Sequence, residues 1–182
     1  MQLTPEHITL LKQHHAPTQK LVFEGLFSTM FRLCQRYLVR MDEAEDCVMK
    51  GFMKAFNQVN GFVYEHERSF TFWLKRIMVN EALMALRKQN NLALVAIEDA
   101  SDVTLEDSLL QQIEAKYLYE AITKLPVGYR TVLNLFVVEG YSHQEIAQTL
   151  GITESTSKTQ LAKAKLKLKV LLTQQQYGYG NG

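Results

Sequence analysis

The stretch YSHQEIAQTLGITESTSKTQLAKAKLKLK, residues 141–169, constrains the fold more than any other part of the chain. Ser142 and Glu145 have the spacing of a capping box, in which each side chain satisfies a free amide at a helix start. Ile146, Ala147 and Leu150 then recur at helical spacing and form an inward face. Gly151 stands where a helix must stop and reverse, a position that favours left-handed backbone. Thr153 is placed to cap a second helix, with Glu154 at its positive end. Two short helices joined by a glycine-containing turn make a helix-turn-helix, whose second helix enters the DNA major groove in proteins that read duplexes.

The second helix has two faces. Leu161, Ala164, Leu168 and Leu172 share one side at about 100° per residue, and Ser155, Thr159, Ala162 and Lys163 lie opposite, with Lys158 alongside. After Glu154 no carboxylate follows, while Lys158, Lys163, Lys165, Lys167 and Lys169 do. Small residues permit close approach to a groove, hydroxyls and lysines reach base edges, and flanking lysines hold phosphates. The competing reading is a solvated amphipathic helix that packs on a protein. The paired caps, the placed glycine and the lysine bias favour DNA.

Upstream, three prolines and nearly continuous apolar periodicity predict an all-α chain. Thr4-Pro5 opens a first helix. Pro17 restarts a longer one, with Leu21, Phe23, Leu26, Phe27, Met30, Phe31, Leu33, Cys34, Tyr37 and Leu38 as a broad apolar stripe. Asp42 opens a third helix, residues 57–68 read as irregular, and a fourth helix runs from about Ser69 to Lys88. Residues 89–112 lose the pattern. From 89 to 115 the charges are Glu98, Asp99, Asp102, Glu106, Asp107 and Glu114, without a Lys or Arg. An acidic strip of this kind is suited to a flexible linker that avoids phosphate. The expected organisation is therefore two small helical domains, residues 1–88 and 113–173, joined by the linker 89–112. A second helical set starts near Ile113, Leu125-Pro126 opens a helix ending at Gly140, and the low-complexity residues 174–182 form a disordered tail.

Composition narrows the function classes. Net charge is only +1, so any nucleic-acid surface must be local rather than global. No apolar run approaches the roughly 20 residues that span a bilayer, and the N-terminus lacks a signal-peptide layout; the expectation is a cytoplasmic protein without membrane insertion. Cys34 and Cys47 lie inside helical patterns and make no CxxC pair, which predicts buried reduced thiols. The histidines are scattered or adjacent rather than at ligand spacing, so no metal and no cofactor is expected. Nor does the chain carry a nucleophile–base pair or a phosphate-cradling glycine loop, which argues against an enzyme.

In the N-terminal half, Phe70, Phe72, Trp73, Lys75, Arg76, Asn80, Arg87 and Lys88 mix rings and cations on one helix. Rings beside cations suit single-stranded DNA, yet an aromatic stripe on a helix is more often core. Order and spacing shift the balance toward DNA. Ala44-Glu45-Asp46 with Phe52, then Phe70, Trp73-Leu74, Arg76-Ile77 and Asn80, then Leu125-Pro126, Arg130, Tyr141-Ser142, Glu145-Ile146-Ala147, Leu150-Gly151-Ile152 and the run Lys158–Lys165, resemble regions 2 and 4 of the extracytoplasmic-function sigma factors over residues 20–172. That family directs RNA polymerase to promoters. The chain also resembles it in having neither the intervening region 3 nor the acidic N-terminal domain of housekeeping sigma factors.

The resemblance implies partners and residues. RNA polymerase core would be gripped by Glu43, Asp46, Met49, Lys50 and Met53. The opened −10 strand of promoter DNA would be held by Lys75, Arg76 and Asn80 with the loop 57–68, and Trp73 would either stack near the melted pairs or belong to the core. The −35 duplex would meet Lys158, Thr159, Ala162, Lys163 and Lys165. An anti-sigma protein that clamps both halves is also implied. Departures from the family pattern are Met49 and Lys50, where Gln and an acid are frequent, Ala85 for a frequent acid, Ser157 for Val and Gln160 for Arg; these bear on polymerase contact and on promoter sequence. A helix-turn-helix regulator that never joins the polymerase, or a protein-interaction module, would leave the Phe70–Asn80 pattern without a role.

Overall fold

The computed structural model describes residues 1–89 and 115–178, with 115–116 and 174–178 described by their backbone. The chain divides into two compact units, Met1–Gln89 and Asn90–Gly182. Both are helical, as the periodicity predicts. The linker expected over 89–112 lies outside the described residues apart from Gln89.

The first unit comprises α1 (Pro5–Lys12), α2 (Ala16–Tyr37), α3 (Met41–Gln58), a 3-10 turn (Val59–Gly61) and α4 (Ser69–Lys88). Thr4 and Pro5 open α1 as expected, with the Thr4 amide donating to His7 Nδ1 at 3.2 Å. α3 begins at Met41, one residue before the expected Asp42, and the irregular stretch begins only after Gln58. Helices α2, α3 and α4 pack on one another, and α1 closes one side against α2 and the 3-10 turn. The inward face of α2 is Val22, Leu26, Met30, Leu33, Cys34 and Tyr37. That stripe is narrower than the sequence predicts: Leu21 is exposed, while Phe23, Phe27 and Phe31 are half-buried on its flank. Those rings form a ladder at i, i+4 and i+8, with centroids 5.2 and 5.8 Å apart, and Phe23 meets Phe52 of α3 edge-on at 4.9 Å. Helices α3 and α4 approach closely at Gly51, where any Cβ would run into the thioether of Met78. Cys34 and Cys47 are both buried, and neither is in a disulfide.

The second unit comprises α5 (Ala115–Thr123), α6 (Val127–Leu133) continuing into a wide π turn (Asn134–Val138), α7 (His143–Leu150) and α8 (Glu154–Gly178). α8 is the hub: α5, α6 and α7 all pack against it. The start expected near Ile113 lies outside the described residues. Arg130 is buried beneath the α5–α6 corner, where its Nη1 donates to the carbonyls of Thr123 and Leu125 at 3.1 and 3.0 Å. It thereby satisfies carbonyls left open at a helix end. The helix expected to reach Gly140 stops at Val138. Its last turn widens, with the Glu139 amide donating to the Asn134 carbonyl at 3.0 Å, and Gly140 then turns the chain at φ +76°.

Two expectations for the C-terminus are corrected. The second helix of the helix-turn-helix is not short, and helical backbone continues past 174 to Gly178. The physical reason is local: Lys, Leu, Ala and Gln are good helix formers, and no Gly or Pro interrupts them before Gly178. Residues 179–182 lie outside the described residues.

Candidate nucleic-acid and polymerase interfaces

On α3 the side chains at 43, 46, 49, 50 and 53 fall within one arc at 100° per residue. Asp46, Met49, Lys50 and Met53 are exposed and Glu43 is half-buried. The acids are not isolated: Glu43 lies 3.5 Å from Arg40 Nε, Arg40 also pairs with Asp42 at 2.6 Å, and Asp46 pairs with Lys50 one turn on. Arg40 draws the Asp42 carboxyl below its ordinary range by hydrogen bonding. Asp46 in turn raises Lys50 above its ordinary range, again by hydrogen bonding. Two bare thioethers on a surface, Met49 at 48% and Met53 at 63% exposure, are the apolar part of this face. Met side chains adapt to irregular partner surfaces.

Behind that face, Lys54 of α3 donates to Glu81 of α4 at 2.8 Å. α4 presents a different surface. Phe72, Arg76 and Asn80 follow one another at i, i+4 and i+8, and all three are exposed; Lys75 is half-buried beside them. Trp73 turns away from this row. Its ring packs against Phe62 and Phe70 with centroids 5.2 and 5.5 Å apart, so it braces the loop 62–68 against the start of α4. The large ring on the open face is Phe72, which sequence reasoning placed in the aromatic block but not in the site. The signal that finds it is its spacing from Arg76 and Asn80.

In the second unit the expected caps are all formed. Ser142 Oγ accepts from the Glu145 amide at 3.2 Å, and Glu145 Oε2 accepts from the Ser142 amide at 2.8 Å. Gly151 adopts φ +70°, and the amides of Gly151 and Ile152 both donate to the Ala147 carbonyl. Thr153 Oγ1 accepts from the Thr156 amide at 3.0 Å. Leu161, Ala164, Leu168 and Leu172 are buried as one seam of α8, Ser155 and Lys158 are exposed, and Thr159, Ala162, Lys163 and Lys165 are half-buried.

Ser157 and Gln160, which sequence reasoning associated with promoter sequence, belong to the buried seam instead. Ser157 Oγ shares a 2.9 Å hydrogen bond with His143 Nδ1 at the start of α7, and the His143 ring stacks on Phe136 with centroids 4.5 Å apart. Burial first, and then Lys158, holds His143 below its ordinary pKa. Through its hydrogen bond Ser157 ties α8 to the start of α7, and Gln160 is buried beside it.

Comparison with known proteins converges on one family. Residues 23–92 match the model of sigma-70 region 2, and residues 115–168 match that of sigma-70 region 4. The RNA polymerase sigma-H factor of Pseudomonas aeruginosa is 30% identical, with 72% of this chain aligned to 74% of that one. The ECF RNA polymerase sigma factor SigW of Bacillus subtilis is 29% identical over 72% of this chain and 76% of its own. The chain belongs to the extracytoplasmic-function sigma factors. As a member of that family it is an alternative sigma factor, which binds RNA polymerase and directs transcription.

Solved structures share the fold of this sigma factor. One is of CnrH in complex with the cytosolic domain of CnrY, with a TM-score of 0.51 and 18% identity over 92% of this chain and 96% of that one. Another is of the sigma factor RpoE with the anti-sigma factor NepR from Bartonella quintana, with a TM-score of 0.53 and 22% identity over 85% and 96%. Among the described residues no helix is long and apolar enough to cross a membrane, and no cluster of His, Cys, Asp and Glu is arranged to hold a metal ion.

Proposed function

We propose a division of labour between the two modules, residues 1–88 and 113–173, joined by the acidic linker 89–112. The α3 face of Glu43, Asp46, Met49, Lys50 and Met53 grips the polymerase. Lys75, Arg76 and Asn80 of α4, with the loop 57–68, hold the opened −10 strand. Lys158, Thr159, Ala162, Lys163 and Lys165 of α8 contact the −35 duplex. The observation that carries the reading is the outer face of α8: its N-terminal half is capped by Thr153, Ser155 and Lys158 are exposed there, and the helix bears cations without a carboxylate from Ser155 to Thr173. Such a face suits the electronegative floor and walls of a major groove.

On α3, the Asp46–Lys50 and Arg40–Glu43 pairs leave little net charge, so the polymerase contact draws on the exposed thioethers as well as on charge. Sequestration by an anti-sigma protein is part of the same proposal, since the sigma factor RpoE, which shares the fold, forms a complex with the anti-sigma factor NepR from Bartonella quintana. The experiment is reconstitution of holoenzyme from RNA polymerase core and the full chain, followed by run-off transcription on genomic fragments. The expected result is initiation at a small set of sites that core alone does not use. Absence of a stable complex with core would overturn the assignment of the α3 face.

A further inference from the structure

We propose that Met49 and Met53 of α3 form a reversible oxidation site, at which peroxide converts two thioethers to sulfoxides and lowers the affinity of this sigma factor for RNA polymerase core. The inference rests on the reading of α3 as the surface that grips the polymerase, and adds to it a redox control.

Sulfur in this chain is sorted by depth. Both cysteines are buried, so the groups that ordinarily meet an oxidant first are screened from it. Of the seven methionines, Met30 and Met78 are fully buried, and the Met78 thioether fills the space that Gly51 leaves between α3 and α4. The other five, Met1, Met41, Met49, Met53 and Met84, are exposed. A mild dose of peroxide therefore reaches surface thioethers before it reaches the thiols or the core. Met49 and Met53 differ from the other exposed methionines by position. They stand one turn apart on the arc of α3 that also carries Asp46 and Lys50, whereas Met41 lies off that arc and Met84 belongs to α4.

The charges on that arc are paired, Asp46 with Lys50 and Glu43 with Arg40. The two thioethers are thus the part of the face that gains most from leaving water. Oxidation reverses that gain. The sulfur lone pair attacks one peroxide oxygen, and the O–O bond breaks as the S–O bond forms. The departing hydroxide takes the proton of the transferred hydroxyl and leaves as water, so sulfur loses two electrons and peroxide gains them. The product is polar and chiral at sulfur. A contact shaped for an apolar, adaptable side chain then has to bury an oxygen without a hydrogen-bond partner. Methionine sulfoxide is reduced back enzymatically, which makes the change reversible. It is also confined to the free protein, because polymerase bound on α3 covers the same sulfurs that peroxide must reach.

The test uses the full chain, treated with a graded series of hydrogen peroxide and quenched with catalase. Peptide mass spectrometry locates the sulfoxides, circular dichroism follows the fold, and titration against labelled RNA polymerase core gives the affinity. At doses that oxidise Met49 and Met53 with the helical signal unchanged, core affinity is expected to fall about 10- to 150-fold, the range that burial of one Met side chain represents. Methionine sulfoxide reductase is expected to restore the affinity, and dithiothreitol is not. The double variant Met49→Leu with Met53→Leu, compared with itself before and after the same treatment, is expected to show no fall.

Unchanged core affinity with both residues shown to be sulfoxides would overturn the redox control. So would an equal fall in the double Leu variant, which would put the sensitive group elsewhere. Sulfoxides that form at 49 and 53 only at doses that also unfold the chain would overturn it too. A second double variant, Met49→Gln with Met53→Gln, sets a permanent polar group on the face and separates this failure from that of the reading beneath it. Weakened binding by the Gln variant beside an insensitive oxidised wild type would remove the redox control and keep α3 as the polymerase face. If the Gln variant and the oxidised wild type both bind core as the untreated protein does, the reading of α3 falls as well.

Discussion

Among the described residues, the unit Met1–Gln89 buries one strongly polar side chain, Thr18, besides the phenol of Tyr37, whereas the second unit buries Arg130, Thr131, Asn134, Ser157 and Gln160. The first has three long helices whose aliphatic and aromatic faces close on one another. The second has a single long helix served by short ones. Hydrogen bonds add to apolar packing there: Arg130 ties the α5–α6 corner, and His143–Ser157 ties α7 to α8. Apolar packing is non-directional, while buried hydrogen bonds are directional and expensive to leave unmade. The first unit is therefore sensitive to lost volume and the second to lost partners.

The largest expected effect breaks the first unit by volume. Phe52→Ala removes a buried ring that meets Phe23 and Phe56, and large-to-small changes of this kind cost about 3–5 kcal/mol. Trp73 is the sole tryptophan of the chain, so its fluorescence during urea unfolding follows this unit. A shift below 1 kcal/mol would mean that the aromatic ladder is peripheral to stability.

Arg130→Met tests the second unit by keeping volume and deleting donors. Leaving the carbonyls of Thr123 and Leu125 open should cost about 1–3 kcal/mol, read as an earlier helical melt by circular dichroism with the Trp73 transition unmoved. A variant as stable as the wild type would show that the corner is held by packing after all.

On the open face of α8, Lys163→Ala should weaken a preferred −35 duplex by about 1–3 kcal/mol and relax discrimination against a scrambled one. Lys169→Ala, farther along the helix, should weaken both duplexes alike and reduce the salt slope by no more than about one unit. Titration of both duplexes at two salt concentrations separates the two; equal losses on both duplexes for both variants would reduce the helix to an electrostatic handle.

The smallest effect concerns pH. His143 has a folded-state pKa below its ordinary value, chiefly because burial disfavours the charged ring. The neutral form thus stabilises the second unit in full above the ordinary pKa of about 6.5. That contribution is lost as pH falls through the depressed folded value, because the unfolded chain binds the proton more readily. The melt of the second unit should move down between pH 7.5 and 5.5, and His143→Gln should flatten the shift while the first unit keeps its own profile. An unchanged slope in the variant would rule out His143 as the source.

What was legible in the sequence was local. Capping boxes, the glycine turn at Gly151 and the seam of Leu161, Ala164, Leu168 and Leu172 depend on groups three to five residues apart, so residue type and spacing suffice. The helical organisation of both modules followed from periodicity, and the order of motifs along 20–172 carried the family. Residues that sit near the edge of an apolar stripe were not legible. Leu21 looks like core and is exposed, while Ser157 and Gln160 look like surface and are buried.

The sequence by itself therefore determined the helices, their caps, the helix-turn-helix and the residues eligible for DNA, because hydrogen-bonding and periodic constraints within one helix are properties of that helix. Only the tertiary structure decided which of two neighbouring rings, Phe72 or Trp73, stays open, and which polar side chains of α8 turn inward. Those choices depend on what packs opposite: Phe62 and Phe70 claim the indole of Trp73, and His143 claims Ser157. A helix spaces its side chains at 100° intervals but does not specify where its neighbours will lie.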